Sequence, residues 1–271
     1  FAENQKQILD RFYKYIHSDE TQKVFLGRDV RDAERVDLTL FDTKPKKGRD
    51  SVILKLLHKP ENVAEDIFDR VGIRFVTKTK FDCLRVAKFL RDRYILMPAN
   101  LKPSRSRNTL VDPTEFSIEL KKLLAQVETG KLSSSDLDQK LIAVCENSSM
   151  KLRKDVNPHS SEHYQSIHFT GRQLIKFRNP IFNDLKALKN SLQDGTVPEK
   201  MAKIIERMDL GSLPKDIRFF YPFEVQVFDE ASYQESQAGT SSHSNYKKSQ
   251  IQAALKRVMQ HLIPRKSDAT S

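Results

Sequence analysis

The sequence predicts an α/β fold, and three patterns carry this prediction. Val71–Val76 is rich in β-branched and aromatic residues, which is typical of a strand, and Phe81–Tyr94 directly after it has helical apolar spacing. Phe223–Phe228 alternates between apolar and polar residues and is the clearest strand of the sequence. A strand that feeds a helix is the basic unit of a layered α/β architecture.

The other predicted elements follow from the same two periodicities. Helical spacing predicts an N-terminal helix over Ile8–Ile16, a second over Ser51–His58, and a last one from Asn245 to Pro264. Two further β segments, Tyr164–Thr170 and Gln173–Arg178, flank Gly171, which predicts a hairpin with its turn at that glycine.

We expect a single domain over residues 1–264, followed by a disordered tail over 265–271. Two largely helical insertions interrupt it, at about 112–147 and 180–217. The first begins with an N-cap signature, in which Asp112 precedes Pro113 and is followed by Glu115, and its first helix ends at Gly130.

Composition narrows the classes of function. The 271 residues carry a net charge of +11, which favours polyanionic partners such as nucleotides or nucleic acid without choosing among them. Neither of the glycine-rich phosphate motifs G-x-x-x-x-G-K-[ST] and G-x-G-x-x-G occurs, which excludes a P-loop ATPase and a Rossmann dehydrogenase. The two cysteines lie far apart in the sequence, which is typical of a protein in a reducing compartment. No apolar stretch is long enough to cross a membrane. We therefore expect a cytoplasmic protein without a membrane partner.

Two carboxylates are the candidate metal ligands. Asp69 comes just before the strand that carries Arg74, and Glu224 shares the non-core face of its own strand with Gln226. An Asp and a Glu from neighbouring strands suit Mg²⁺, which binds through one or two carboxylates together with substrate phosphates. A carboxylate in such a site can also take a proton from an attacking hydroxyl. The alternative is that both acids simply face solvent.

Cations and hydroxyls around the predicted helix at Ser51 are candidates for binding phosphate. The N-terminus of a helix adds partial positive charge for an anion, although a solvated basic loop has the same composition. The candidates are Lys44, Lys46, Lys47, Ser51, Lys55 and, on the strand that follows, Arg74.

Other polar and aromatic residues are candidates for binding a second substrate. Tyr164 is a platform on which a base could stack, although a half-buried aromatic is the commoner role for such a residue. The remaining candidates are His168, Gln226, His243 and Lys247.

The order of these motifs resembles the synthetase domain of the RelA/SpoT family, the alarmone synthetases. The motifs are S-x-x-x-K at Ser51–Lys55, F-D-x-x-G-I-R at Phe68–Arg74, Y-Q-S-I-H at Tyr164–His168, E-V-Q-V at Glu224–Val227 and H-x-x-Y-K at His243–Lys247. The resemblance runs from about residue 44 to 260 and is interrupted by the two insertions.

This resemblance implies a mixed β-sheet flanked by helices, similar to that of nucleotidyltransferases. It implies transfer of the β,γ-pyrophosphate of ATP to the 3′-hydroxyl of GDP or GTP, with Mg²⁺ as cofactor. By the same resemblance Asp69 is a Mg²⁺ ligand, Glu224 is a second ligand or the base, and Tyr164 stacks on the acceptor guanine. Lys47 and Lys55 hold ATP phosphates, and the other candidates line the same cleft.

Two departures from the family pattern occur; the first concerns the adenine of the donor, and the second leaves the acceptor open. The family usually has an Arg where this sequence has Pro45, and a Lys and an Asn-Gly pair just before the position of Tyr164, where this sequence has neither. Related enzymes modify adenine nucleotides or the 3′ end of tRNA, and these acceptors stay as alternatives. A catalytically inactive regulator that binds nucleotide or RNA is a further alternative.

Overall fold

The computed structural model describes residues 2–44, 53, 57, 71–148, 165–193, 198, 203–205, 207, 213–238 and 243–259. The chain divides into two compact units. The first comprises residues 1–172 and 222–271, and the second comprises residues 173–221.

The N-terminal part of the first unit begins with helix α1, Ala2–Tyr13, whose apolar side is buried. Three short strands follow as an antiparallel sheet in the order β1 (Ile16–Ser18), β2 (Val24–Leu26) and β3 (Val36–Leu38). The sequence did not predict these strands, because three residues hold too little alternation to be recognised.

A five-stranded mixed sheet forms the centre of the fold. Its strands are β4 (Leu40–Lys44), β5 (Gly72–Thr77), β6 (Arg107–Asn108), β7 (Ile167–Arg178) and β8 (Asp216–Asp229), in the order β4-β5-β8-β7-β6. Strand β5 is antiparallel to β4 and parallel to β8, and β6 is antiparallel to β7. The predicted α/β class and mixed sheet flanked by helices are confirmed.

One face of this sheet is apolar and packs against helices. Ile73, Phe75, Val225 and Val227 are all buried. The ring of Phe12 on α1 lies 6.3 Å from that of Phe75 and 6.0 Å from that of Phe223. Each fully buried side chain of this size stabilises the fold by about 1.5–3 kcal/mol.

Helix α2, Lys80–Asp92, follows β5 and is capped by Thr79, whose side chain accepts from the backbone N–H of Asp82. The first predicted insertion contains a helix pair, α3 (Pro113–Glu128) and α4 (Ser134–Asn147). As predicted, the Asp112 side chain accepts from two backbone N–H groups at the start of α3, and Gly130 after its end has φ +70°. Leu123, Leu132 and Leu141 form the small core of this pair.

The second unit contains helix α5, Pro180–Gln193, which lies within the second predicted insertion. Asn179, just before this helix, donates from its side-chain amide to the carbonyl of Pro214, and its backbone N–H donates to the carbonyl of Lys215. The rings of Phe177 and Phe219 stack with their centroids 5.7 Å apart. These contacts tie the two ends of the second unit together.

The last two helices of the described ranges are α6, Glu230–Ala238, and α7, His243–Val258, which starts two residues before the predicted Asn245. The predicted helix over Ser51–His58 lies outside the described residues except at Ile53 and Leu57, which are both helical. Within the described ranges, no helix combines the length and the apolar character needed to cross a bilayer.

The predicted hairpin at Gly171 is wrong, because residues 167–178 form one continuous strand. Gly171 serves close packing instead of a turn. A Cβ at this position would lie 3.1 Å from Cζ of Phe223 and 3.4 Å from Cδ2 of Leu101. A glycine in a strand marks either a turn or a close approach, and the pattern alone does not separate them.

Candidate active site

The second face of the five-stranded sheet carries two rows of polar positions. In the first row Asp42, Arg74 and Gln226 lie side by side on β4, β5 and β8. In the second row Lys44, Gly72 and Glu224 occupy the same three strands, one pleat further along. Cross-strand partners project to the same face of a sheet, so both rows share this face. We call it the polar face.

Glu224 lies at the centre of the polar face, where His168 and Gln226 are among its neighbours. Its Oε1 is 2.7 Å from Nε2 of His168 on β7, and its Oε2 accepts from Nε2 of Gln226 at 3.4 Å. The His168 contact is close but does not have the angles of a hydrogen bond, so we regard it as an electrostatic contact. The side chains of His168 and Glu224 are 23 % and 19 % exposed, so both remain accessible from solvent.

Arg74 is held by several protein groups at once. One terminal nitrogen lies 3.8 Å from the Asp42 carboxylate, and the other donates to Oε1 of Gln226 at 3.4 Å. Its guanidinium also lies 5.5 Å from the ring centre of Tyr233 and 5.8 Å from that of Phe228. With 15 % of its side chain exposed, Arg74 provides a fixed positive charge beside Gln226.

Gly72 leaves an open floor between a cation and a carboxylate. Chain neighbours aside, a Cβ built on Gly72 would meet only Cβ of Lys44 within 4 Å among the described residues, at 3.5 Å. Lys44 and Glu224 are its register partners on either side. A glycine in the interior of a strand weakens the strand, and it often marks a place where a ligand approaches the backbone closely.

Five of the residues predicted for the site are therefore on one face. They are Lys44, Arg74, His168, Glu224 and Gln226. The predicted residues Asp69, Lys46, Lys47, Ser51, Lys55 and Tyr164 lie outside the described residues. His243 and Lys247 lie in the first two turns of α7, and the structure describes their backbone alone.

Sequence reasoning missed three residues of this face. Asp42 lies in β4, whose sequence Leu-Phe-Asp-Thr-Lys has no clean alternation. Gly72 belongs to the F-D-x-x-G-I-R motif, but it has no side chain that could mark it as a ligand. Arg107 lies in the two-residue strand β6, directly opposite His168. No periodicity could have revealed Arg107, because only the strand register brings it to the polar face.

The polar face carries carboxylate oxygens, which are among the ligands that Mg²⁺ prefers. The Glu224 carboxylate is partly exposed beside the open floor at Gly72, and the Asp42 carboxylate, which is more exposed, lies 3.8 Å from Arg74 on the same face. The described ranges hold no group of three or more His, Cys, Asp or Glu side chains placed to bind a metal. This finding does not test the predicted pair of Asp69 and Glu224, because Asp69 lies outside the described residues.

Comparison with known proteins gives a weak similarity at the level of structure. No family model matches the chain, and no curated protein matches it. Among solved structures, the chain is similar to the small alarmone synthetase 1 from Bacillus subtilis, with 10% sequence identity and a TM-score of 0.33. The similarity covers 83% of this chain and 78% of that one. At this level it supports no conclusion about what the chain does.

Proposed function

We propose that this protein is a pyrophosphotransferase that moves the β,γ-pyrophosphate of ATP to the 3′-hydroxyl of a nucleotide, with GDP or GTP as the expected acceptor. One observation carries the proposal. Glu224 lies on a solvent-accessible polar face, beside an open floor at Gly72 and across from Lys44. This face brings together a carboxylate, cations and space for a ligand, which is what phosphoryl transfer requires.

The reaction forms one bond and breaks one bond. The 3′-oxygen of the acceptor attacks the β-phosphorus of ATP, the bond from that phosphorus to the oxygen bridging to the α-phosphate breaks, and AMP leaves. The proton of the 3′-hydroxyl goes to the Glu224 carboxylate. General-base assistance of this kind contributes about 10²–10⁴-fold to the rate.

The neighbours of Glu224 support a role for it as base. Nε2 of His168 lies 2.7 Å from one carboxylate oxygen, and the Gln226 amide donates to the other. Arg74 in turn donates to Gln226, and Asp42 and two aromatic rings hold Arg74. The carboxylate is therefore oriented from both sides before any substrate binds, which lowers the cost of reaching the reactive geometry.

The donor side of the site includes Lys44, with Lys46, Lys47, Ser51 and Lys55 following it in the chain. We propose that these groups and Arg74 bind the ATP phosphates. Lys44 is the last residue of β4 and lies in register with Gly72, which supports its placement beside the donor. On the acceptor side we propose that Tyr164 stacks on the base and that His168, Gln226, His243 and Lys247 line the cleft.

Asp69 is the residue that would hold Mg²⁺, and Glu224 would be its second ligand as the alternative to acting as the base. Asp69 precedes Gly72 by three residues, a separation that an extended chain spans in about 10 Å, and Gly72 is the register partner of Glu224. When bound, the ion neutralises charge on the phosphates and helps to align them. These residues supply its carboxylate oxygens.

A transfer assay tests the proposal directly. Purified protein is mixed with Mg²⁺, γ-³²P-ATP and one acceptor in each reaction. The acceptors are GDP, GTP, GMP, ADP, unlabelled ATP and bulk tRNA. We expect a labelled product and an equal amount of AMP with GDP or GTP, and no product with the Glu224→Gln protein. A labelled product with adenine nucleotides or tRNA alone would keep the chemistry and replace the acceptor. No transfer to any acceptor would reject the enzyme and favour a nucleotide-binding regulator.

A further inference from the structure

The helix pair α3 and α4 differs in charge from the rest of the chain. From Asp112 to Asn147 it carries seven acidic and four basic residues, a net charge of −3, whereas the whole chain has +11. The basic excess that favours polyanions therefore lies elsewhere in the molecule. A ligand of this helix pair meets a different chemistry.

An open groove of about 380 Å³ runs between the two helices. Its α3 wall is formed by Glu115, Glu119 and Leu123, and its α4 wall by Lys140, Ala143, Val144 and Asn147. The spacings of three and four residues place each set on one side of its helix. The volume lies at the lower end of the range of about 300–1,000 Å³ that is typical of small-molecule sites.

The two helices run antiparallel, which fixes the ends of the groove. Ser148, which follows α4 and is 2% exposed, accepts from the backbone N–H of Asp112 and donates to Oε2 of Glu115. The end of α4 therefore lies beside the start of α3. Asn147 and Glu115 accordingly lie at one end of the groove, and Lys140 lies towards the other.

Opposite charges are separated along this groove, with an apolar floor between them. Glu115 and Glu119 follow each other by one turn of α3, and Glu119 remains 38% exposed although Lys122 of the same helix pairs with it at 2.6 Å. Lys140 precedes Asn147 by seven residues, which is about 10 Å along the helix axis. The floor is formed by Leu123, Ala143 and Val144.

This separation selects the class of ligand. A free α-amino acid carries its ammonium and its carboxylate on the same carbon atom and cannot reach both ends. An extended peptide spans about 3.3–3.6 Å per residue, so the termini of a dipeptide or tripeptide lie about 7–10 Å apart. A diamine would bring a like charge to Lys140, and a nucleotide would bring like charges to Glu115 and Glu119.

We propose that the groove between α3 and α4 binds a free dipeptide or tripeptide with apolar side chains. The ammonium group of the peptide lies at Glu115 and Glu119, its carboxylate lies at Lys140, and its side chains cover the apolar floor. Charge-assisted hydrogen bonds hold the two ends, and burial of the side chains adds apolar contact area. The site shares no residue with the polar face and does not depend on the proposed function.

Titration calorimetry with peptides of defined termini tests the assignment. Leu-Leu, Leu-Leu-Leu, N-acetyl-Leu-Leu, Leu-Leu-amide and free leucine are titrated separately into the whole chain. We expect both unmodified peptides to bind. Loss of either terminal charge should weaken binding by about 10- to 100-fold, the loss typical of a hydrogen bond between charged groups. Leucine, which reaches one end only, should lose about as much.

Two variants connect each end of the peptide with its partner in the groove. In Glu119→Gln, N-acetylation should weaken binding less than it does in the wild type, because part of the partner charge is already gone. In Lys140→Gln, amidation of the carboxyl terminus should likewise have a smaller effect. A general loss of structure would weaken all ligands in parallel and would not produce this pairing. Thermal unfolding of each variant confirms that it is folded.

Matched controls remove the same charges outside the groove. Glu128→Gln and Lys131→Gln change exposed residues at and just after the end of α3, and neither residue lines the groove. Both variants should bind every peptide as the wild type does. No saturable binding of Leu-Leu or Leu-Leu-Leu, or equal binding of the unmodified, acetylated and amidated peptides, would overturn the assignment. Because the titrations contain no nucleotide, their result stands whether or not the transfer assay succeeds.

Discussion

The two faces of strand β8 carry different kinds of residue, because buried apolar and partly exposed polar side chains alternate along the strand. Val225 and Val227 are fully buried and belong to the apolar core of the sheet. Glu224 and Gln226, one residue before and between them, carry polar contacts and stay partly exposed. Strand geometry forces this division, since successive side chains point to opposite faces. One strand therefore serves stability on one side and leaves the other free for a site.

Gly171 and Gly72 show the same difference between a packed apolar face and an open polar face. Gly171 is packed against the ring of Phe223 and the side chain of Leu101, and a methyl group would crowd both. Gly72 meets only Cβ of Lys44 at ordinary contact distance among the described residues. The first glycine permits tight packing on the apolar face, and the second keeps space open on the polar face. Substitutions on the two faces should therefore separate stability from activity.

Glu224→Gln should have the largest effect on activity. The change keeps the size of the side chain and removes the charge, so we expect the transfer rate to fall by about 10²–10⁴-fold. Rates are measured with saturating ATP and acceptor, and folding is followed by urea unfolding. A folded variant with near-normal turnover would remove Glu224 from the chemistry.

Phe75→Ala should have the largest effect on stability. The ring is completely buried and packs against Phe12 and Phe41, so its loss leaves a cavity and should lower the free energy of unfolding by about 3–5 kcal/mol. Chemical denaturation measures this change. A loss below 1 kcal/mol would show that the apolar face is not the core of the sheet.

Gly72→Val should separate the two properties within one residue. Valine favours the strand, so the free energy of unfolding should stay the same or rise by up to about 1 kcal/mol. Its side chain would fill the floor between Lys44 and Glu224 and should slow transfer by about 10- to 100-fold through misplaced substrate. Full activity together with raised stability would mean that no ligand uses this space.

Gly171→Ala is the counterpart of that change on the apolar face. The added methyl group would lie 3.1 Å from the ring of Phe223, closer than ordinary packing allows. We expect the free energy of unfolding to fall by about 1–3 kcal/mol and kcat to stay unchanged at temperatures where the variant is folded. A large loss of kcat in the folded protein would show that the two faces are coupled.

Acid sensitivity offers a control that lies outside both faces. Asp32 accepts hydrogen bonds from the side chain and the backbone of Arg28 and from the backbone of Glu34, and these hold its pKa well below the usual range. A depressed folded pKa stabilises the protein above the unfolded value, about 3.9, and this contribution disappears as the pH falls below it.

The Asp32→Asn variant should therefore lose less stability than the wild type between about pH 4 and pH 2, by up to about 1.4 kcal/mol for each pH unit. The free energy of unfolding is measured by urea titration at several pH values. Parallel curves for the two proteins would assign the acid sensitivity to other carboxylates.

Long, regular patterns were predictable from the sequence. The alternation at Phe223–Phe228 placed Glu224 and Gln226 on the non-core face, and the structure confirms it. The strand before α2 and the capped helix after Asp112 were also predicted correctly. Each of these signals is local, because it depends on backbone geometry within one element.

The residue types available for a site, and the face of β8 that they occupy, follow from local patterns in the chain. That Asp42, Arg74 and Gln226 form one row, and that Arg107 lies opposite His168, follows from the strand register of the folded protein. The tertiary structure also decided that Gly171 packs under a ring instead of making a turn. The reason is that register and packing join residues far apart in the chain, whereas periodicity reports only on neighbours a few residues away.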